Sequence, residues 1–210
     1  MTRNIPIILL IFSCLLSYGQ YEWTSGKLIL KNGDSLEGLI QIPMTEIRLV
    51  SFGKSKVEFK ENSDDIVQSY DKSQVDKICF NTYDLNPGCY EYMPIKKRKF
   101  RIFKLLLTGK VKLYTRTVAI EHKEIIAQSP DNPNVEIFKY YYEEEEEFYV
   151  IREGESQLTP LISHFQINDF KTKALKYFSD CEDITEYLKE DLYSEIDIIE
   201  LVNDYNLFCQ

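Results

Sequence analysis

Up to about Ile162 the apolar residues of this chain come in short, often alternating runs broken by turn signals. After Pro160 they recur at every third or fourth position. A chain that spends its strands first and its helices last is expected to fold as α+β rather than as alternating α/β. The reading is therefore antiparallel β-hairpins forming one or two sheets or a small barrel over residues 20–165, with a subdivision near 82–92 left open. A C-terminal block of two or three α-helices over 166–210 then packs on the sheet.

Within the β-rich part, Leu28-Ile29-Leu30 and Leu36 to Ile42 flank Asn32-Gly33, the strongest short hairpin signal, which predicts positive φ at both central turn residues. A second hairpin is expected between Arg48–Phe52 and Val57–Lys60 through Gly53-Lys54, and a further strand over Val75–Phe80. Phe100–Leu107 and Val111–Val118 flank the Thr108-Gly109-Lys110 turn. There Val111, Leu113 and Thr115 share one face and Lys112, Tyr114 and Arg116 the other. Phe103 and Leu105 to Leu107 are apolar on both faces, so that strand is expected to be central and covered by the helices. Ser129 to Asn134 reads as a polar loop, followed by a hairpin of Val135–Tyr142 and Phe148–Ile151 whose tip is Glu143–Glu147.

The helical signals are Phe170, Ala174, Leu175 and Phe178, with Asn168 or Asp169 as cap, then a short helix around Ile184–Leu188. Ser194 and Asp197 resemble a capping box opening a last helix, whose buried face is expected to be Ile198, Ile199, Val202 and Tyr205.

The first 19 residues read as a signal peptide. Arg3 gives the positive start, Ile5–Leu16 the apolar stretch, and Ser17 and Gly19 the small residues before a cut between Gly19 and Gln20. The apolar stretch falls short of the roughly 20 residues a bilayer span needs, so no transmembrane segment is expected in the mature chain. Lipid attachment at Cys14 is the alternative. Bulky Phe12 and the apolar Leu15-Leu16 fit it poorly, which favours a soluble, extracytoplasmic and most simply periplasmic protein.

Loss of the signal leaves 24 basic and 34 acidic residues, and the segment 167–210 alone contributes −7. A partner of nucleic acid or of an anionic membrane surface is disfavoured. Five cysteines become four, an even number suited to an oxidising compartment. Of three connectivities the local one, Cys79 with Cys89 and Cys181 with Cys209, is favoured over the others and over free thiols. No Cys-x-x-Cys occurs, so a zinc site built on these cysteines is not expected.

No motif commits the chain to chemistry. His122 and His164 could each serve as a general base, yet neither accompanies a nucleophile motif and Ser156 lacks the second glycine of a nucleophile elbow, which favours both histidines as surface or sheet residues. Glu143–Glu147 could hold calcium, though a solvated hairpin tip explains it more simply. Lys96-Lys97-Arg98-Lys99, with Arg101 and Lys104, could meet anionic envelope polymers or pair with those glutamates. Tyr140, Tyr141, Tyr142 and Tyr149 with Trp23 could form a glycan platform, but alternation puts Tyr140 and Tyr142 on one face and Tyr141 on the other, which favours ordinary core packing for at least one face; an outer-membrane barrel is disfavoured by the polar loops and acidic helical end.

Asn32-Gly33-Asp34-Ser35 with Gly38, Thr108-Gly109-Lys110-Val111-Lys112-Leu113-Tyr114, Leu158-Thr159-Pro160-Leu161, Tyr177-Phe178-Ser179-Asp180-Cys181 and Tyr205-Asn206 together resemble uncharacterised secreted, β-rich proteins of Bacteroidota. The resemblance spans nearly the whole mature chain and implies a compartment and a fold, with no activity attached. Such families often add a C-terminal sorting domain; this chain stops in helices, which favours the periplasm over surface attachment. The expected function is a non-catalytic binding or assembly module of the envelope, meeting another envelope protein. The alternative is a hydrolase-type enzyme with a non-obvious site. No catalytic, metal or cofactor residue is assigned.

Overall fold

The computed structural model describes residues 23–42, 56–80, 88–97, 99–129, 132–164 and 170–209. The signal peptide, Cys14 and the Gly19/Gln20 cleavage site lie outside these residues. So do Arg48–Phe52, the Gly53-Lys54 turn and the Asn168/Asp169 caps.

Among the described residues, ten strands and three α-helices follow in order: β1 (Thr24–Leu30), β2 (Ser35–Gln41), β3 (Val57–Lys60), β4 (Gln68–Tyr70), β5 (Val75–Phe80), β6 (Gly88–Lys96), β7 (Lys99–Leu107), β8 (Val111–Ser129), β9 (Asn132–Arg152), β10 (Thr159–Ile162), α1 (Phe170–Tyr177), α2 (Glu182–Lys189) and α3 (Ile198–Phe208). The strands form one antiparallel sheet in the order β10-β9-β8-β7-β6-β5-β1-β2-β3-β4. The α+β expectation holds, whereas the small-barrel alternative does not. The two end strands, β10 and β4, do not pair with each other, so the sheet is open. Val57–Lys60 is a strand as expected, and both its sides are occupied, by β2 and by β4.

The β1–β2 turn departs from the reading at one residue. Gly33 has φ +93°, but Asn32 does not share the positive φ. Gly33 N–H donates to Leu30 O, and Leu30 N–H donates to Asp34 O. This is a three-residue loop, in which a type I turn is followed by a glycine in the left-handed region. Asn32 instead uses its side chain, accepting from Asp34 N–H at 3.1 Å.

The sheet curls between β6 and β9. Three strands apart on a flat sheet means about 14 Å, yet Leu158 N–H, on the β9–β10 connection, donates to the carbonyl of Pro94 in β6 at 2.9 Å. Inside that curl Phe103 of β7 meets Tyr114 of β8 and Tyr149 of β9, with ring centroids 6.5 and 4.9 Å apart. On the opposite face Val111, Leu113, Val150 and Leu161 pack against the helices, and Leu106 and Leu107 join them. β7 is thus central and covered by the helices, as its unbroken apolar run predicts. A third cluster, around Leu28, Ile40, Phe59 and Ile78, fills the N-terminal half of the sheet. Each fully buried Leu, Ile or Phe in these clusters contributes about 1.5–3 kcal/mol.

The helices are placed as expected. Ser194 N–H and hydroxyl both donate to Asp197 Oδ2, at 2.9 and 2.7 Å, forming the predicted box on a 3-10 turn that leads into α3. The buried face of α3 is Ile198, Leu201, Val202 and Tyr205, while Ile199 is exposed. The correction is geometric, since positions i, i+3, i+4 and i+7 from Ile198 share a stripe and i+1 falls off it.

Both disulfides take the local connectivity, Cys79 with Cys89 and Cys181 with Cys209. The first joins residues directly opposite each other on β5 and β6. The second ties the start of α2 to the end of α3, a closure worth roughly 3–4 kcal/mol in the chain-entropy view.

Three sequence motifs meet where α3 docks on the sheet. Asn206 Oδ1 accepts from Val111 N–H at 2.8 Å and its Nδ2 donates to Val111 O at 2.9 Å. Lys110 Nζ donates to Cys209 O at 2.7 Å. Asp180 accepts from the Tyr205 hydroxyl at 2.6 Å and from Arg152 at 2.7 Å, with Lys110 3.9 Å away. Burial pushes the Asp180 carboxyl up, but the Tyr205 hydroxyl, Arg152 and Lys110 outweigh it and hold it below the usual carboxylate range. Tyr205 answers in the other direction, pushed up to about 12 by burial and by its bond to Asp180. Gly109 is required here for space: a Cβ would stand 2.5 Å from Asn206 Cγ.

Candidate functional site: the β8–β9 arm

Residues 111–152 depart most from the sequence reading. β8 runs on to Ser129 instead of ending near Val118, and β9 is continuous from Asn132 to Arg152. Glu143–Glu147 is therefore no hairpin tip. It lies mid-strand, paired with Ile120 to Arg116, and the hairpin turns between Ser129 and Asn132. Of the residues expected as a polar loop, Ser129 ends β8 and Asn132 to Asn134 open β9, while Pro130 and Asp131 lie outside the described residues; β8 supplies the β-branched partners Thr117, Val118 and Ile120 that hold the glutamates extended.

β7 pairs with β8 only as far as Thr115, and β10 with β9 only as far as Phe148. Beyond those points the described strands β8 and β9 pair only with each other. The thirteen residues Thr117 to Ser129 at about 3.3 Å each carry this two-stranded arm roughly 40 Å outward.

Alternation gives the arm two unlike faces. On the face turned toward the curl lie Arg116, Val118, Ile120 and His122 with Glu147, Glu145, Glu143 and Tyr141. At its base Glu147 is buried, 1% exposed, and fully engaged. Arg116 Nε and Nη2 lie 2.8 Å from its Oε2, the Tyr149 hydroxyl donates at 2.6 Å, and Ser163 donates to Oε1 at 3.1 Å. Next outward, Glu145 Oε2 is 3.3 Å from His164 Nδ1, and Glu143 Oε2 is 3.3 Å from His122 Nε2. Tyr141 stacks on the His122 ring at 5.3 Å between centroids. Ser163 and His164 come from the chain leaving β10. Three of the five glutamates thus have a cationic or imidazole partner, which is how a strand tolerates the run.

The protein's two histidines, 42 residues apart in sequence, therefore converge on neighbouring carboxylates. His122 Nε2 has no solvent access and makes no hydrogen bond. The donor atoms of His122, Glu143 and Glu145 lie within 4.8 Å of one another, the one such group of three among the described residues. Imidazole and carboxylate donors in this arrangement can hold a divalent cation. From sequence alone the histidines are expected as surface or sheet residues and the glutamates as a solvated tip, with nothing to bring the two sets together. The signal available was parity, since Glu143, Glu145 and Glu147 share a face once the run is read as a strand.

The opposite face is apolar and exposed toward the end of the arm. Ile125 and Tyr140 are each 55% exposed, and Lys123 Nζ sits 3.3 Å from the centroid of the Phe138 ring. The tyrosine platform does not assemble. Tyr149 is buried in the curl, Tyr141 and Tyr140 face opposite ways, and Trp23 precedes β1 with Lys60 Nζ over its ring. Lys96 and Lys99 of the basic run stand opposite each other where β6 and β7 meet, Arg98 lies outside the described residues, and the glutamates are met instead by Arg116, His122 and His164. A groove of about 590 Å³ along β1 and β2 contains the Lys27–Glu37 ion pair and no histidine or cysteine.

Among the described residues no helix is long and apolar enough to cross a membrane. The two disulfides point to an oxidising, extracytoplasmic environment. No family model matches the chain, nor does any curated protein or any solved structure.

Proposed function

We propose that this is an exported, periplasmic protein of the kind secreted by Bacteroidota, acting as a non-catalytic binding or assembly module whose contact element is the β8–β9 arm. The observation that carries the reading is the arm itself. A two-stranded ribbon is at best marginally stable alone in water, and here it extends about 40 Å with exposed Ile125 and Tyr140. Unpaired strand edges are templates for strand addition by a partner, and exposed aromatic and aliphatic side chains supply its anchors. The acidic balance of the chain points the same way, toward a protein partner in the envelope rather than nucleic acid.

Replacing Ile125 and Tyr140 together with serine tests this. The variant should fold with an unchanged melting temperature, because both side chains are exposed, and lose the envelope protein that the parent chain retains in side-by-side affinity capture. Identical retention by parent and variant would refute the assignment of the arm as contact element.

A further inference from the structure

We infer that His122, Glu143 and Glu145 form a binding site for one first-row divalent transition metal ion, with His164 as the positioning residue for Glu145. The site is independent of the partner-binding reading, since it lies on the other face of the arm and its test involves no partner.

The argument begins with His122 Nε2. It is shut off from solvent, forms no hydrogen bond, and lies 3.3 Å from a carboxylate oxygen. With its proton on Nδ1, the neutral imidazole turns the Nε2 lone pair toward those of the carboxylate, and a cation between them converts that repulsion into two ligand bonds. Four donors bound to one ion at about 2.0–2.1 Å in a tetrahedron are about 3.3–3.4 Å from each other. The His122–Glu143 separation matches that edge. Glu145 completes the group within 4.8 Å, and as both glutamates are about half exposed, a small side-chain rotation closes the remainder.

Charge and chemistry agree. Two carboxylates and a neutral imidazole carry −2, which a divalent ion neutralises, and a mixed imidazole–carboxylate set selects zinc and its neighbours over calcium or magnesium. The stack of Tyr141 on His122 fixes the ring plane. His164 Nδ1, 3.3 Å from Glu145 Oε2, orients that carboxylate in the manner of an outer-shell partner. The ion would join β8, β9 and the chain leaving β10 at the root of the arm.

The composition makes the site testable in isolation. The four cysteines of the chain beyond Gln20 are all in disulfides, and the two histidines are the only ones present. No thiolate or other imidazole competes.

The experiment uses the oxidised chain from Gln20 onward, free of any histidine tag, titrated with zinc chloride by calorimetry and by NMR of its two imidazoles. Binding of one zinc per chain in the micromolar range is expected, with the His122 ring signals shifting in step. His122→Ala should weaken it by at least about 100-fold and His164→Ala by about 10- to 100-fold. Glu143→Gln and Glu145→Gln preserve shape and should weaken binding too, which keeps the test valid if His122→Ala disturbs the arm. Absence of saturable binding below about 1 mM, with the histidines titrating only as ion pairs to their glutamates, would overturn the inference. Binding that survives all four substitutions would overturn it equally.

Discussion

Alanine at Gly109 should destabilise the protein in one background and stabilise it in another. In the parent, its Cβ would stand 2.5 Å from Asn206 Cγ and 2.6 Å from Nδ2, and Asn206 is held by two hydrogen bonds to Val111. Displacing that amide forfeits both bonds, at about 0.5–1.5 kcal/mol each, and leaves two part-buried backbone groups unsatisfied. Asn206→Ala should therefore cost about 2–3 kcal/mol, and Gly109→Ala about 2 kcal/mol through the same loss. Gly109 is not among the residues with positive φ, so alanine introduces no backbone strain there. Once Asn206→Ala has removed the obstacle, Gly109→Ala should act only on the unfolded chain and stabilise by about 0.4–1 kcal/mol. The coupling is then about 2–3 kcal/mol, well outside the roughly 0.3–0.5 kcal/mol scatter of independent sites. Urea unfolding of the four proteins, followed by circular dichroism, measures it. Equal costs of Gly109→Ala in both backgrounds would refute the view that this glycine exists to admit Asn206.

Other outcomes follow from the same contacts. Asp180 has its carboxyl held below the usual range, so its stabilisation is complete above the unfolded value near 3.9 and is lost as pH falls through the folded one. The deficit of Asp180→Asn in urea should accordingly be larger at pH 7 than at pH 3, and a pH-independent deficit would contradict this. Glu147→Leu leaves the Arg116 charge, 15% exposed, without its carboxylate and should cost about 3 kcal/mol by chemical denaturation; a loss under 1 kcal/mol would show that Arg116 finds water or another acceptor. Replacing Cys181 and Cys209 by alanine should lower stability by roughly 3–4 kcal/mol, read as a fall in the urea midpoint.

What the sequence disclosed depended on the range of the interaction. Local signals were legible: the Ser194–Asp197 box, the helical spacing of Phe170, Ala174 and Phe178, the alternation of Val111 to Arg116. The cysteine pairs were legible because a short loop and a short helical block leave few geometries. Glu143–Glu147 misled, because five glutamates have poor strand propensity and only the opposing Thr117, Val118 and Ile120 override it. With the run assigned to a tip, its parity carried no meaning, and His122 and His164 stayed apart. Gly109 read as a turn residue, but the reason it cannot be larger lies in α3, 97 positions away.

The Asn206–Val111 and Lys110–Cys209 contacts also order events in time. They span 95 and 99 residues, so they carry a large loop entropy and belong late in folding. A chain made amino end first presents a sheet with Val111, Leu113 and Val150 uncovered until residue 206 has arrived. Through that interval an apolar face is open to other chains, and anything that delays the last forty residues lengthens the exposure. The helical block is thus what closes this apolar face when the chain folds.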